Sequence, residues 1–329
     1  MSGSRAVILP TPCNPFLLTY WFDMYLKNIA DEVDTLYVHA NGDIERAVYE
    51  YIKEMFNVPN VVFKFTDHQI EHGTAINEIL DQVKEDYVML IEDDCYTFKP
   101  GLVGKMFSLL ENNQVDVVGS KRGSCGQEIL DASKAKYNLD YSGLGDSGCN
   151  FWPAYFFIKT DDLRATDRHF QAKEWKVGDY IKELDYAMKE TQYGDTFVNT
   201  SIQIMAKFPQ DRIKYIQQYH ASPADDIFSV RKIGLFDGQA RHIHVGSLSS
   251  FNARRELEPP IINNDMEKKE WERRVAFWLK GWEVSQPVNN GMTAYSNIYK
   301  QKLDELIEKM GLSISRIRQF QSIYKKLGL

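Results

Sequence analysis

The stretch that most constrains this chain is Asp86-Tyr-Val-Met-Leu-Ile-Glu-Asp-Asp-Cys95. Tyr87 to Ile91 form an apolar run with the length of a strand buried on both faces. Three carboxylates follow at once, Glu92, Asp93 and Asp94. Unpaired charge inside a sheet is far too costly, so the strand must deliver these groups to an opening at its carboxyl end. Open α/β sheets bind ligands at that edge. Oxygen-rich side chains gathered there suit a hard divalent cation, Mg2+ or Mn2+, holding a substrate phosphate. A strand followed by an ordinary acidic turn has the same residues, so the surrounding pattern has to decide.

That pattern is alternation. Ala6 to Pro10 reads as a first strand, and Thr11-Pro-Cys-Asn-Pro15 is turn chemistry. Leu17, Trp21, Met24 and Tyr25 fall at helical spacing. Thr35 to His39 is a second strand closing on Asn41-Gly42, and Val48, Ile52, Met55 and Phe56 form the next helical face. Val61 to Phe65 is a third strand, followed by a polar loop, Thr66 to His72. Gly73 opens a helix with Ile76, Ile79, Leu80 and Val83 inward, and the acidic strand is the fourth. Pro100-Gly101, a helix with Val103, Phe107 and Leu110, and a fifth strand at Val115 to Gly119 complete the series. The order implies an α/β fold, a parallel sheet covered on both faces with right-handed crossovers. Thr11, Asn41, Asp67 and Glu92 to Asp94 then share one edge, as in a nucleotide site. No G-x-G-x-x-G follows the first strand and no G-x-x-x-x-G-K-[ST] occurs, so a metal rather than a glycine loop is expected to neutralise phosphates.

The succession His72-Gly-Thr-Ala-Ile-Asn77, helix, Tyr87 to Asp94, then Phe98-Lys-Pro-Gly101 resembles the core of the GT-A-fold glycosyltransferases, the family-2 type above all. Those proteins carry a glycine, an alanine and an asparagine at this spacing, a strand ending in D-x-D, and a proline a few residues on. The resemblance spans about residues 5–120 and, loosely, 145–210; Glu92 departs from it, standing where the family has Asp. It implies a Rossmann-like, mostly parallel sheet flanked by helices, and metal-dependent transfer of a sugar to a hydroxyl with inversion. The donor would be a UDP- or GDP-sugar and the acceptor a glycan or other hydroxyl compound. Carried onto this chain, it implies that Asp94 binds Mn2+ or Mg2+ and that Glu92 and Asp93 face the metal, ribose and donor sugar. Thr11, Asn41 and Asp67 would surround the base and ribose, with Gly73 and Asn77 near the donor. Asn41 also reads as a turn residue before Gly42, and Asn77 as a loop tie.

Residues 121–150, with Ser142-Gly-Leu-Gly-Asp-Ser-Gly148, read as a mobile loop over the site. Asn150 to Ile158 is an aromatic strand, in which Trp152 could stack on a sugar or fill the core. Tyr193-Gly-Asp-Thr196 opens a helix with Val198, Ile202 and Met205 inward. It resembles the place where inverting family members keep an acidic general base, which makes Asp195 the candidate; a helix-start acid is the competing reading. His242 and His244 stand two apart, on one side if extended. Many GT-A enzymes complete the metal sphere with a histidine after the sheet, and His244 is the better match, ahead of His242 and His220. Imidazole beside carboxylate favours Mn2+ over Mg2+.

Beyond Pro259-Pro260 three amphipathic helical faces follow: Trp271, Val275, Trp278, Leu279, Trp282; then Leu303, Leu306, Ile307, Met310; then Ile314, Ile317, Phe320, Tyr324, Leu327. The expected division is a catalytic domain over 1–258 and a helical extension over 259–329. Residues 266–329 hold 12 Lys/Arg against 7 Asp/Glu, leaving 27 against 39 in the rest. A basic tail on an acidic body could pack on that body, form a homo-oligomer, or make a peripheral contact with an anionic membrane. The net charge of -7 argues against general nucleic-acid binding. The four cysteines form no C-x-x-C pair and suit a reducing compartment. With no apolar run of about 18 residues and a poor signal-peptide pattern, a soluble cytoplasmic protein is expected. Two other readings stay open. A nucleotidyltransferase making sugar nucleotides would want a Gly-rich, basic loop where Thr11 to Pro15 stands, and a non-catalytic scaffold would have kept the fold alone.

Overall fold

The computed structural model describes residues 3–11, 15–41, 57–121, 125–138, 151–168, 170–218, 233–245, 262–285 and 293–329. In chain order they form β1 (Arg5–Thr11), α1 (Pro15–Asn28), β2 (Thr35–Ala40), β3 (Val61–Phe65), α2 (His72–Leu80) and β4 (Tyr87–Ile91). Then come β5 (Cys95–Thr97), α3 (Leu102–Glu111), β6 (Val117–Lys121), α4 (Gln127–Tyr137), β7 (Phe151–Lys159) and α5 (Thr160–Arg164). The short strands β8 (Lys173–Trp175), β9 (Tyr180–Ile181), β10 (Tyr186–Ala187) and β11 (Gln192–Gly194) precede α6 (Val198–Lys207). The last elements are β12 (Ile213–Gln218), β13 (Ile233–Phe236), β14 (Gln239–His244), α7 (Asp265–Ser285), α8 (Thr293–Lys309) and α9 (Ile314–Lys326).

One ten-stranded sheet runs β3-β2-β1-β4-β7-β6-β12-β13-β14-β5. The pairings send β1, β2, β3, β4, β6, β12 and β14 one way and β5, β7 and β13 the other. It is the mostly parallel, helix-flanked sheet expected of a GT-A fold. The aromatic strand β7 enters antiparallel between β4 and β6, and the fifth strand begins two residues later than its hydrophobic run suggests.

Alternation along each strand feeds two cores. Val7 and Leu9 of β1, Met89 and Ile91 of β4, and Tyr155 and Phe157 of β7 enter one layer. Ala6, Ile8, Val88, Leu90, Phe156 and Ile158 enter the other. The period of two along a strand makes this division, and an apolar run without polar gaps is what it requires. The first layer is roofed by α1, α3 and the three C-terminal helices; the second by α2 and α6. Phe277 of α7 sits between Tyr96 of β5, with centroids 4.9 Å apart, and Tyr324 of α9, 4.2 Å away. The C-terminal helices therefore share the sheet's own core.

One expectation is corrected here. The Gly- and Ser-biased region contains a helix, α4, because Ile129, Ala132 and Ser133 recur at helical spacing and are buried. The loop bias came from residues beyond Asn138, which closes α4 at φ 50. Residues 139–150, the helix expected around Val48 to Phe56, and His220 lie outside the described residues. Among described residues, no helix is long and apolar enough to cross a membrane.

Candidate active site

The carboxyl end of β4 opens into a turn that carries Glu92, Asp93 and Asp94. Strand β14 reaches this turn from about 150 positions later, by pairing antiparallel with the short β5 so that His244 lies opposite Cys95. The amide of Val245 donates to the Asp94 carbonyl at 2.8 Å and fixes that register. As a result, His244 Nε2 lies 3.1 Å from Asp94 Oδ1 and 3.3 Å from Glu92 Oε2. One ligand atom from each of Glu92, Asp94 and His244 lies within 4.8 Å of the others. Asp94 is only 2% exposed and His244 is buried.

Two carboxylates around one imidazole nitrogen are not neutralised by it, since that nitrogen carries at most one proton. Burial alone would lower the pKa of His244, but Asp94 and then Glu92 reverse the effect and raise it. A divalent cation relieves the same excess, and the O, O, N donor set fits Mn2+. Trp152 of β7 stands edge-on to the His244 ring at 4.5 Å, so it belongs to the site wall.

Asp93 points the other way. It is buried and accepts from Thr11 Oγ1 at 2.7 Å, tying the end of β1 to the acidic turn. Burial first, then Asp94, pushes its carboxyl well above the usual range. Asn41 is engaged at both ends of its amide, donating to the Ile70 carbonyl and accepting from the Ile70 amide, each at 2.7 Å. It clamps the loop between β3 and α2 to the end of β2. Asp67 is exposed on that loop. Gly73 packs in the first turn of α2 against the backbone of Phe170 and Gln171; an added Cβ would lie 2.3 Å from the Phe170 carbonyl carbon. Asn77, one turn further, has a buried Oδ1 without a hydrogen-bond partner among the described residues, while its backbone carbonyl accepts from Arg168 at 2.9 Å.

Asp195 lies between β11 and α6, half-buried, and accepts from the Thr196 amide at 2.8 Å. The N-cap of α6 is Phe197, at φ 75, so Asp195 is not the capping residue. Burial raises its pKa most; the Thr196 amide and His72 oppose this, and Glu92 and Glu71 add to it.

His242 is structural. Its Nε2 is 2.9 Å from Ser120 Oγ, and its ring stacks on Tyr155 at 4.2 Å. Burial, and His244 beside it, lower its pKa to about 3, so it stays neutral. The structure brings Glu92, Asp94 and His244 together, with Thr11 and Asp93 directly behind them. Sequence reasoning did not single out His72, whose Nδ1 lies 3.9 Å from Glu92 Oε1 at the start of α2. Its position just before Gly73, after a parallel strand, was the available signal.

Residues 32–178 match the family model described as Glycosyl transferase family 2. The matched span includes His72, Glu92 and Asp94 and ends before Asp195 and His244. A mannosyltransferase, PcManGT from Pyrobaculum calidifontis, solved in complex with GDP-Man and Mn2+, is 9% identical with a TM-score of 0.46 over 99% of this chain and 74% of that one. Glucosyl-3-phosphoglycerate synthase from Mycobacterium tuberculosis, in complex with Mn2+ and UDP-glucose, is 14% identical at TM-score 0.41, covering 70% and 75%. TarS residues 1–349 from S. aureus is 13% identical at TM-score 0.40, covering 98% and 91%. No curated protein matches the sequence.

Proposed function

We infer the activity from one premise: the chain is a family-2-like glycosyltransferase of the GT-A fold. It moves a sugar from a UDP- or GDP-sugar to an acceptor hydroxyl, with inversion. The observation that carries this reading is the convergence of Glu92, Asp94 and His244 at the carboxyl end of β4. Those three residues would hold Mn2+, which when bound supplies positive charge against the donor's diphosphate.

The chain's own groups perform the rest. Asp195, made more basic by burial, takes the proton from the acceptor hydroxyl. The acceptor oxygen bonds to the anomeric carbon as the bond from that carbon to the diphosphate oxygen breaks. The nucleoside diphosphate departs with the electron pair, and the proton remains on Asp195 until water removes it. Attack and departure on opposite faces give inversion. Thr11 and Asn41 act beneath the donor by holding the ends of β1 and β2, while Asp67 and Asn77 are the donor-facing candidates on the loop before α2 and on α2 itself.

Incubation with UDP-glucose and GDP-mannose, scoring release of the nucleoside diphosphate with Mn2+ and with EDTA, tests the reading. Release that depends on Mn2+ and is lost in Asp94→Asn is expected. Production of pyrophosphate from a nucleoside triphosphate would instead identify a nucleotidyltransferase.

A further inference from the structure

Strand β11 pairs antiparallel with β8, with Gln192 opposite Trp175, Tyr193 opposite Glu174 and Gly194 opposite Lys173. Alternation splits the pair into two faces. On one, Trp175 is buried under Gly194, where an added Cβ would lie 2.6 Å from the indole. On the other, Tyr193 stands beside Glu174 and is 58% exposed. Asp195 is two residues beyond Tyr193, just past the end of β11.

Strand pairing and a hydrogen bond to α2 locate that face. Burial first, then Asp195 and Glu71, raise the pKa of its phenol. Glu71 is the N-cap of α2, accepts from the Ala172 amide at 3.2 Å, and is followed by His72, which faces Glu92. From Glu92 the contacts pass through His72 and its neighbour Glu71 to the Ala172 amide, and Lys173 beside that amide pairs with Gly194, between Tyr193 and Asp195. An exposed aromatic ring thus stands on the strand that leads into the candidate base, beside the start of α2.

We propose that Tyr193 is the stacking platform of an acceptor subsite, and that the acceptor is a neutral sugar whose C–H face lies on this ring. The inference rests on the transferase reading above and names its second substrate. A pyranose offers an apolar face and a rim of hydroxyls. The ring of Tyr193 suits the first, and the carboxylates of Glu174, Glu71 and Asp195 suit the second. The same carboxylates oppose a phosphorylated or otherwise anionic acceptor. Lys173 lies on the opposite face of the pair, its Nζ 5.1 Å from the Trp175 ring centroid, and does not offset them.

Saturation-transfer NMR with methyl β-D-glucopyranoside and methyl α-D-mannopyranoside as probes, and glycerol as a polyol without a ring face, tests the assignment. Ring-face protons of at least one glycoside should receive saturation from the wild-type chain, and glycerol should not. Tyr193→Ala and Tyr193→Leu should weaken glycoside binding by about fivefold or more, whereas Tyr193→Trp should retain it. Two aliphatic variants guard against one that fails to fold, and thermal melts report folding. Absence of any glycoside signal in wild type, or an unchanged signal in both aliphatic variants, overturns the proposal. UDP and GDP binding with Mn2+, measured on the same wild-type sample, separates the failures: nucleotide bound without glycoside sinks the acceptor subsite alone, and no nucleotide bound sinks the transferase reading.

Discussion

Gly73→Ala sets two effects of opposite sign against each other. Helix propensity alone favours alanine within α2 by about 1 kcal/mol. The structure predicts the reverse. The new Cβ would lie 2.3 Å from the Phe170 carbonyl carbon, 2.4 Å from the Gln171 nitrogen and 2.5 Å from the Phe170 oxygen. Ordinary contact between carbon atoms is about 3.5–4.0 Å, so the overlap exceeds about 1 Å. All three atoms are backbone and cannot rotate away. Overpacking of this kind costs typically about 1–3 kcal/mol, which outweighs the propensity gain over most of that range and reaches a net loss of about 2 kcal/mol. For a chain of this size, with an unfolding entropy of about 2.1 cal/mol/K per residue, a loss of about 2 kcal/mol lowers Tm by about 3 °C. Relief of the clash displaces the start of α2 and with it His72 from Glu92, and a misplacement of about 1 Å near a reacting centre can reduce turnover on the order of a hundredfold. Calorimetric melting, with nucleoside diphosphate release measured beside it, checks both effects. A Gly73→Ala protein as stable as wild type or more so would refute the reasoning.

Other outcomes follow from the same structure. Glu272 is fully buried on α7 and accepts from the Ser313 amide at 2.6 Å, with Arg316 Nε 2.9 Å from its other oxygen. Glu272→Ala should destabilise by about 1–3 kcal/mol in urea unfolding, because the amide is left unpaired while Arg316 keeps Asp265. Arg212 holds the Asp116 carboxyl below its usual range. That contribution is present above about pH 4 and lost as pH falls through the lower folded value, so the Tm gap between wild type and Asp116→Asn should close only in acid. A chain ending at residue 258 should aggregate or fail to melt cooperatively, since Val275, Phe277, Trp278, Phe320 and Tyr324 belong to the sheet's core.

How much of this was legible beforehand depends on where each determinant lies. The β4 run and its carboxylates could be read because one local pattern encodes both burial and chemistry. Asp94 and His244, 150 positions apart, could be paired only through a family resemblance; what joins them is the β5–β14 pairing, which no local pattern displays. Asp93 looked equivalent to its neighbours. Only the direction of its side chain, toward Thr11, separates it from Glu92 and Asp94. The insertion of β7 between β4 and β6 is a long-range choice invisible to periodicity. Glu272 and Arg273 sit where a helical wheel would draw a polar face. Their partners, Ser313, Arg316, Glu270 and the Val245 carbonyl, come from elsewhere in the turn and from distant chain. Tyr193 is an ordinary residue in the sequence, and exposure beside Asp195 is what gives it a use.

Electron paramagnetic resonance of Mn2+ titrated into the protein, alone and with UDP or GDP, measures the central claim most directly. A single tight site is expected in wild type, strengthened by one of the two nucleotides and weakened at least about tenfold in Asp94→Asn and in His244→Ala. Binding that is indifferent to both substitutions and to both nucleotides would contradict the account.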